Sequence, residues 1–142
     1  MTISIPPITT DIRLSEHFKL CEFLNLAVYP DNIPNATVIL NLAYGCNMLL
    51  ETARCETGPL IVTSGYRNYA YNKAVGGVAY SQHTEGKAAD IKPANPADFQ
   101  RLVSVLRRHP LVDQLLTGPG WLHVSWQPLA PPRRMVRLNY YQ

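Results

Sequence analysis

Two histidines and one aspartate stand out by their chemistry. His83 and Asp90 lie within Ser81-Gln82-His83-Thr84-Glu85-Gly86-Lys87-Ala88-Ala89-Asp90, and His123 lies within Trp121-Leu122-His123-Val124-Ser125. Two imidazoles and one carboxylate are a donor set for an open zinc site, in which three protein ligands leave the fourth position to water. Zinc held this way would acidify that water and polarise a carbonyl entering the site. Composition and spacing alone favour a plainer reading, with His83 a loop residue, Asp90 a turn or cap residue and His123 an ordinary strand residue, because such triples are common by chance.

The elements that must position these residues can be read from local pattern. Leu60-Ile61-Val62-Thr63 is a short β-branched run, expected as a buried strand that delivers Ser64-Gly65-Tyr66-Arg67 at its end. A loop set by a rigid strand is where a functional arginine is expected, here Arg67. Ser81 to Lys87 is polar and broken by glycine, and Ala88-Ala89-Asp90-Ile91 is small and apolar enough for a strand. His83 is therefore placed on a loop and Asp90 on the strand it enters. Leu111 to Leu116 and Trp121 to Trp126 read as two strands of a hairpin around the turn Thr117 to Gly120, with Trp121, His123 and Ser125 on one face. Trp121 could line a cleft, although an aromatic in a central strand is more often core.

Helices supply the scaffold. Residues 35–56 carry Val38, Leu42, Cys46, Leu49 and Ala53 at helical spacing, and Gly58-Pro59 ends the run. A short helix is expected over residues 68–75, and another after Asn95 as N-cap and Pro96 at the first position, with Phe99, Leu102, Val103 and Leu106 facing inward. His109 reads as a last-turn residue favourable to that helix's dipole. Leu14 to Leu24 suits a short helix or two helical turns with Ser15 as a cap, and His17 within it reads as a packing or surface residue. Residues 1–12 are broken by proline and expected as an extended arm, and Arg133 to Tyr140 offers a last strand at the sheet edge.

Length and composition set the frame. The 142 residues, 46% of them hydrophobic, suit one domain covering 1–142 with a core that needs no staples. No window reaches the apolar length of a membrane span. The formal net charge of +3 lacks the density of a nucleic-acid footprint. Cys21, Cys46 and Cys55 are odd in number and form no C-x-x-C pair. A buried free thiol is expected at Cys46, and folding in a reducing compartment is favoured, with one bridge plus a free thiol the alternative. The N-terminus has no secretory pattern, so synthesis in the cytoplasm is expected.

The order of motifs then adds a family. Ser64-Gly-Tyr-Arg67, Asn72, Val75-Gly-Gly77, Ser81-x-His83-x-x-Gly86-x-Ala88-x-Asp90, Asp113-Gln114-Leu115 and Trp121-x-His123-Val-Ser125 together resemble the zinc D-alanyl-D-alanine carboxypeptidases. D-Ala-D-Ala dipeptidases and phage endolysins that cut L-alanyl-D-glutamate bonds are related to them. The likeness runs from about residue 60 to residue 126, and the Arg133 to Leu138 tail also resembles the family's ending. It implies an α+β fold with helices packed on a small, mainly antiparallel sheet, as in Hedgehog signalling domains. By the same resemblance, His83, Asp90 and His123 are the zinc ligands, Arg67 grips the substrate, Ser81 contacts it, and the partners are peptidoglycan stem peptides in the cell wall or periplasm, reached by phage-type release. Tyr66, Asn72, Gly76, Gly77 and Gly86 read as structural, as do Asp113 and Gln114.

The sequence departs from the family at one point. Relatives carry a glutamate general base between the Asp-Gln-Leu and Trp-x-His strands, whereas no residue from Gln114 to Leu122 is acidic. The catalytic base is thus unassigned, with Glu85 and Asp113 as possible substitutes outside the matching position. Loss of a general base costs on the order of 10²- to 10⁴-fold in rate. Three functions follow: a zinc-dependent peptidase of stem peptides, a zinc-containing module that binds wall peptides without cutting them, and a zinc-stabilised structural domain.

Overall fold

The computed structural model describes residues 12–141, so the arm expected over residues 1–12 lies, apart from Ile12, outside the described residues. The architecture is α+β, as the resemblance implied. Five strands form one sheet in the order β1-β2-β4-β3-β5, with β1 Leu60–Ser64, β2 Ala88–Pro93, β3 Gln114–Thr117, β4 Leu122–Ser125 and β5 Met135–Arg137. Every pairing is antiparallel except β3 with β5, which is parallel.

The sheet's two faces separate scaffold from chemistry. Alternation along β2 sends Ala89 and Ile91 to the core, and along β4 it sends Leu122 and Val124 to the same core. The residues between them, Asp90 and His123, therefore share the other face, and the β2–β4 register makes them direct cross-strand partners. Such partners hold their Cβ atoms about 4.5–5.5 Å apart, so the register alone brings carboxylate and imidazole within reach. A one-residue slip of either strand would send its member of the pair into the core and part the two.

The core face is covered by helices. α1 (Ala36–Gly45), a π-helical stretch (Cys46–Leu50) and α2 (Glu51–Thr57) form one continuous rod over the region expected to be helical. Asn35 caps it by accepting the Val38 N–H, and Gly58 ends it in a left-handed conformation at φ 77°. α3 (Tyr69–Ala74) is capped by the Asn68 side chain. Asn95 caps a short 3₁₀ turn, Pro96–Asp98, that leads into α4 (Phe99–Arg108). Leu42, Cys46, Leu49, Leu102 and Leu106 from these helices are fully buried against the sheet residues.

Trp126 locks the rod to the sheet. Its indole N–H donates to the Asn41 carbonyl at 2.8 Å, and its ring covers Gly45 so closely that a Cβ there would lie 2.1 Å from the indole. Gly45→Ala is therefore expected to destabilise the chain by about 2 kcal/mol: overpacking costs roughly 1–3 kcal/mol, and better helix propensity returns only part of it. Urea unfolding of the variant measures this, and unchanged stability would show that the indole can move aside at no cost.

Several local expectations change. Leu14 to Leu24 is not helical beyond the 3₁₀ turn Leu20–Phe23; an Arg13–Lys19 bridge folds the chain back instead, and Leu14, Phe18, Leu20, Phe23 and Leu24 all reach the core from that irregular path. Ser15 does not cap a helix: its hydroxyl donates to Glu51 at 2.6 Å, and His17 binds the same carboxylate far from the site. His109 does not serve the α4 dipole as a cation. Its Nδ1 accepts the Leu111 N–H, and burial, with Arg134 nearby, pushes the imidazole below its usual range. Arg134 takes that place, donating to the carbonyls of Arg107, His109 and Val112. The last strand is three residues long rather than eight. Cys46 is a buried free thiol as expected, and burial raises its pKa. Among the described residues, no helix is long and apolar enough to cross a membrane.

Candidate metal centre

His83, Asp90 and His123 converge on one point. His83 Nε2 lies 3.2 Å from His123 Nδ1 and 3.2 Å from Asp90 Oδ1, and His123 Nδ1 lies 3.0 Å from the same oxygen. Each residue is brought there by a different device. Asp90 and His123 come from facing positions of β2 and β4. His83 enters from a 3₁₀ turn, Gln82–Glu85, which Ser81 caps by accepting the His83 N–H and which Gly86 closes at φ 72°. That backbone angle favours glycine, and a Cβ at Gly86 would also lie 2.7 Å from the Val38 carbonyl.

The donor atoms suit a tetrahedral divalent ion. Bonds of about 2.0–2.1 Å imply ligand-to-ligand edges of roughly 3.3 Å, within a few tenths of the three separations observed. Proton positions point the same way. His83 Nδ1 faces the Gly65 carbonyl at 2.7 Å, and a carbonyl can only accept, so Nδ1 carries the hydrogen and Nε2 presents its lone pair to the cluster. His123 Nδ1 then has at most one hydrogen to share between His83 Nε2 and Asp90 Oδ1. Three electron-rich atoms within 3.2 Å of one another are short of protons, a deficit that a cation makes good.

Electrostatics prepare the same charge states. Burial would raise the Asp90 carboxyl, but the neighbouring His123 and His83 imidazoles outweigh it and hold the carboxyl well below the usual carboxylate range. His123 is pushed down chiefly by burial, against the pull of Asp90 and with the help of repulsion from His83 and Arg67. Charged carboxylate and neutral imidazole are the forms that bind metal. Arg67 holds the outer edge of the cluster: Nη2 lies 3.5 Å from Asp90 Oδ2, Nε donates to Ser64 Oγ and Nη1 to Asn72 Oδ1.

His83, Asp90, His123 and Arg67 line a cleft of about 520 Å³ that also includes Ser81, Gln114, Trp121, Arg133, Tyr140 and Tyr141. The model of the family described as Peptidase M15 matches residues 33–125. The chain belongs to the peptidase M15 family. No curated protein matches it. Peptidases of the M15 family are metallopeptidases, and the buried His83–Asp90–His123 group is a place in this M15 chain that can hold a metal.

The other sequence candidates are placed as follows. Ser81 lines the cleft, while its hydroxyl caps the turn beneath His83. Neither acidic substitute reaches the metal group. Glu85 is exposed, 3.7 Å from Lys87, and is not part of the cleft wall. Asp113 is completely buried beneath Arg133. Asp90 is the one carboxylate among the lining residues. Trp121 precedes β4 and lines the cleft instead of the core, where Trp126 sits. Tyr140, Tyr141 and Arg133 were not marked by sequence reasoning, because β5 pairs in parallel with β3 and no local pattern in the tail reports that long-range contact.

Proposed function

We propose that the chain is a zinc metallopeptidase acting on peptidoglycan stem peptides, as a D-Ala-D-Ala carboxypeptidase or an endolysin-type peptidase. The observation that carries this is the His83–Asp90–His123 group in the wall of an open cleft, in a chain of a metallopeptidase family. His83, Asp90 and His123 would be the ligands. Zinc bound there supplies Lewis-acid polarisation of a scissile carbonyl.

The chain's own residues do the rest. Gly65 fixes the His83 tautomer through its carbonyl, so the ligand nitrogen needs no rearrangement. Arg67, anchored by Ser64, Asn72 and Asp90, presents a guanidinium fork suited to a peptide carboxylate or carbonyl. The stacked rings of Trp121 and Tyr141, 4.6 Å apart, form a wall that limits water on one side. The site of action that follows is the cell wall or periplasm, reached by phage-type release.

Arg67→Ala is expected to weaken stem-peptide binding roughly 10- to 100-fold, the range for a lost hydrogen bond to a charged group. Arg67→Lys should recover only part of this, because a point charge does not replace the fork. The full test is incubation of the zinc-loaded chain with muropeptides, read by mass spectrometry. A metal-dependent product establishes hydrolysis, and its absence at high protein concentration refutes it. A second reading, a wall-peptide binder without turnover, is favoured by one observation: among the described residues, the cleft wall offers no carboxylate besides Asp90 to act as base. Peptide affinity that depends on Arg67, without product, would establish that reading.

A further inference from the structure

The turn that lacks an acidic residue is covered by aromatic rings. At Gly118 a Cβ would lie 2.8 Å from Trp121 Nε1 and 3.1 Å from Tyr141 Cβ, so no larger side chain fits there while those two residues hold their places. Tyr141 is tied to this turn by its backbone N–H, which donates to the Thr117 carbonyl at 3.1 Å, and two residues earlier the Asn139 N–H donates to Thr117 Oγ1 at 2.7 Å. Its ring stacks on Trp121 at 4.6 Å and meets the Tyr140 ring edge-on at 5.0 Å. Trp121 in turn lies two residues before His123. The position of the Tyr141 phenol is thus set by the same short segment that carries a member of the metal group.

We infer that Tyr141 is a catalytic residue of this cleft, its phenol O–H donating a hydrogen bond to the negative oxygen that develops on the scissile carbonyl as water adds. This rests on the peptidase reading of the His83–Asp90–His123 group. The phenol keeps its proton throughout: the carbonyl π pair moves onto oxygen as the bond from the water oxygen forms and returns as the C–N bond breaks, while the proton that the water loses passes through solvent in the open cleft to the leaving amine. Preorganised donors of this kind are a large source of rate enhancement because they need no reorganisation during the reaction.

The other phenols of the cleft are poorly placed for the role. Tyr80 is 97% exposed at the rim and Tyr140 is 57% exposed, whereas Tyr141 is half-buried. Tyr141 lines the same cleft as the centre, and its hydroxyl feels the charges of Asp90, a member of that centre, and of Arg67 at its edge. Burial and the Asp90 charge raise its pKa, so it remains a donor at neutral pH.

The test compares the zinc-loaded full chain with Tyr141→Phe, which keeps the ring and its stack on Trp121. Two phosphinate peptides are titrated by calorimetry, one with the tetrahedral group at a D-Ala-D-Ala junction and one at an L-Ala-D-Glu junction. A phosphinate carries anionic oxygens where the oxyanion would form, and such analogues report transition-state contacts. Whichever phosphinate binds the unmodified chain should bind Tyr141→Phe roughly 10- to 100-fold more weakly, while a planar product peptide binds both alike and zinc content is unchanged. Equal phosphinate affinity, an equal loss for the product peptide, or loss of zinc from the variant would each overturn the role of Tyr141 and leave the peptidase reading standing. Failure of the unmodified chain to bind either phosphinate in a zinc-dependent way would overturn both.

Discussion

His123→Ala is expected to give a folded chain that no longer retains zinc and that cleaves stem peptides at least about 10³-fold more slowly, since metal polarisation is worth several kcal/mol in the transition state. The size follows from the count of ligands. Two remaining donors cannot hold an ion that three hold with one position open. Among the three residues, His123 gives the cleanest experiment. Its ring bonds only to Asp90 and His83 among the described residues, whereas His83→Ala would also leave the buried Gly65 carbonyl without its donor. Metal analysis after dialysis and far-UV circular dichroism separate loss of zinc from loss of fold. A variant that keeps one zinc per chain at undiminished affinity would remove His123 from the ligand set and with it the proposed chemistry.

The centre was legible in sequence because its three members sit on elements with strong local signals. Ala88-Ala89-Asp90-Ile91 is small and apolar enough for a strand, Trp121 to Trp126 alternates as one, and Ser81 and Gly86 bracket the turn that carries His83. Spacing could not decide between a metal group and three unrelated residues; the order of motifs did. Register then supplies what the motifs imply, since Asp90 opposite His123 is a consequence of β2 meeting β4.

What escaped sequence reasoning has a physical cause in each case. Leu14 to Leu24 carries apolar residues at spacings that suit a helix, yet the Arg13–Lys19 bridge and the Ser15 and His17 bonds to Glu51 hold another path that buries the same residues. Tertiary contacts there outweigh propensity. The π-helical stretch at Cys46–Leu50 adds an extra residue to one turn without disturbing the apolar face by enough to be read. Trp121 and Trp126 are five residues apart, so alternation puts them on opposite faces, Trp121 with His123 and Trp126 with the core residues Leu122 and Val124; the Asn41 carbonyl and Gly45 hold Trp126 there. The missing acidic residue was visible, but its replacement by a Trp121–Tyr141 wall was not, because that wall exists only once the tail has paired with β3.

Arg133→Ala is expected to cost about 3 kcal/mol at pH 7 and progressively less as pH falls below about 4. Asp113 is wholly buried and accepts from the Arg133 backbone N–H at 2.6 Å, Arg133 Nη2 at 2.7 Å, Gln82 Nε2 at 3.1 Å and Ser125 Oγ at 3.4 Å. It joins the start of β3 to β4, to the turn carrying His83 and to the segment leading into β5. Removing the guanidinium strands a buried carboxylate, and breaking such a pair costs roughly 3–5 kcal/mol, taken here at the low end because the backbone, Gln82 and Ser125 donors remain. The pH dependence separates this from simple loss of packing. In the unmodified chain burial would raise the Asp113 carboxyl, but the bonds and charge of Arg133, with Gln82, outweigh it and hold the carboxyl below its usual range. The pair's contribution is therefore complete above the unfolded value of about 3.9 and is lost as pH falls through the lower folded value. Without the guanidinium the carboxyl loses the strongest of the interactions that oppose burial, so its pKa rises, and protonation on acidification relieves the stranded charge. The two stability curves must then converge as pH falls. Urea unfolding of both chains at pH 7 and at about pH 3 measures the gap, and a gap independent of pH would mean that Asp113 is not held as a carboxylate by Arg133.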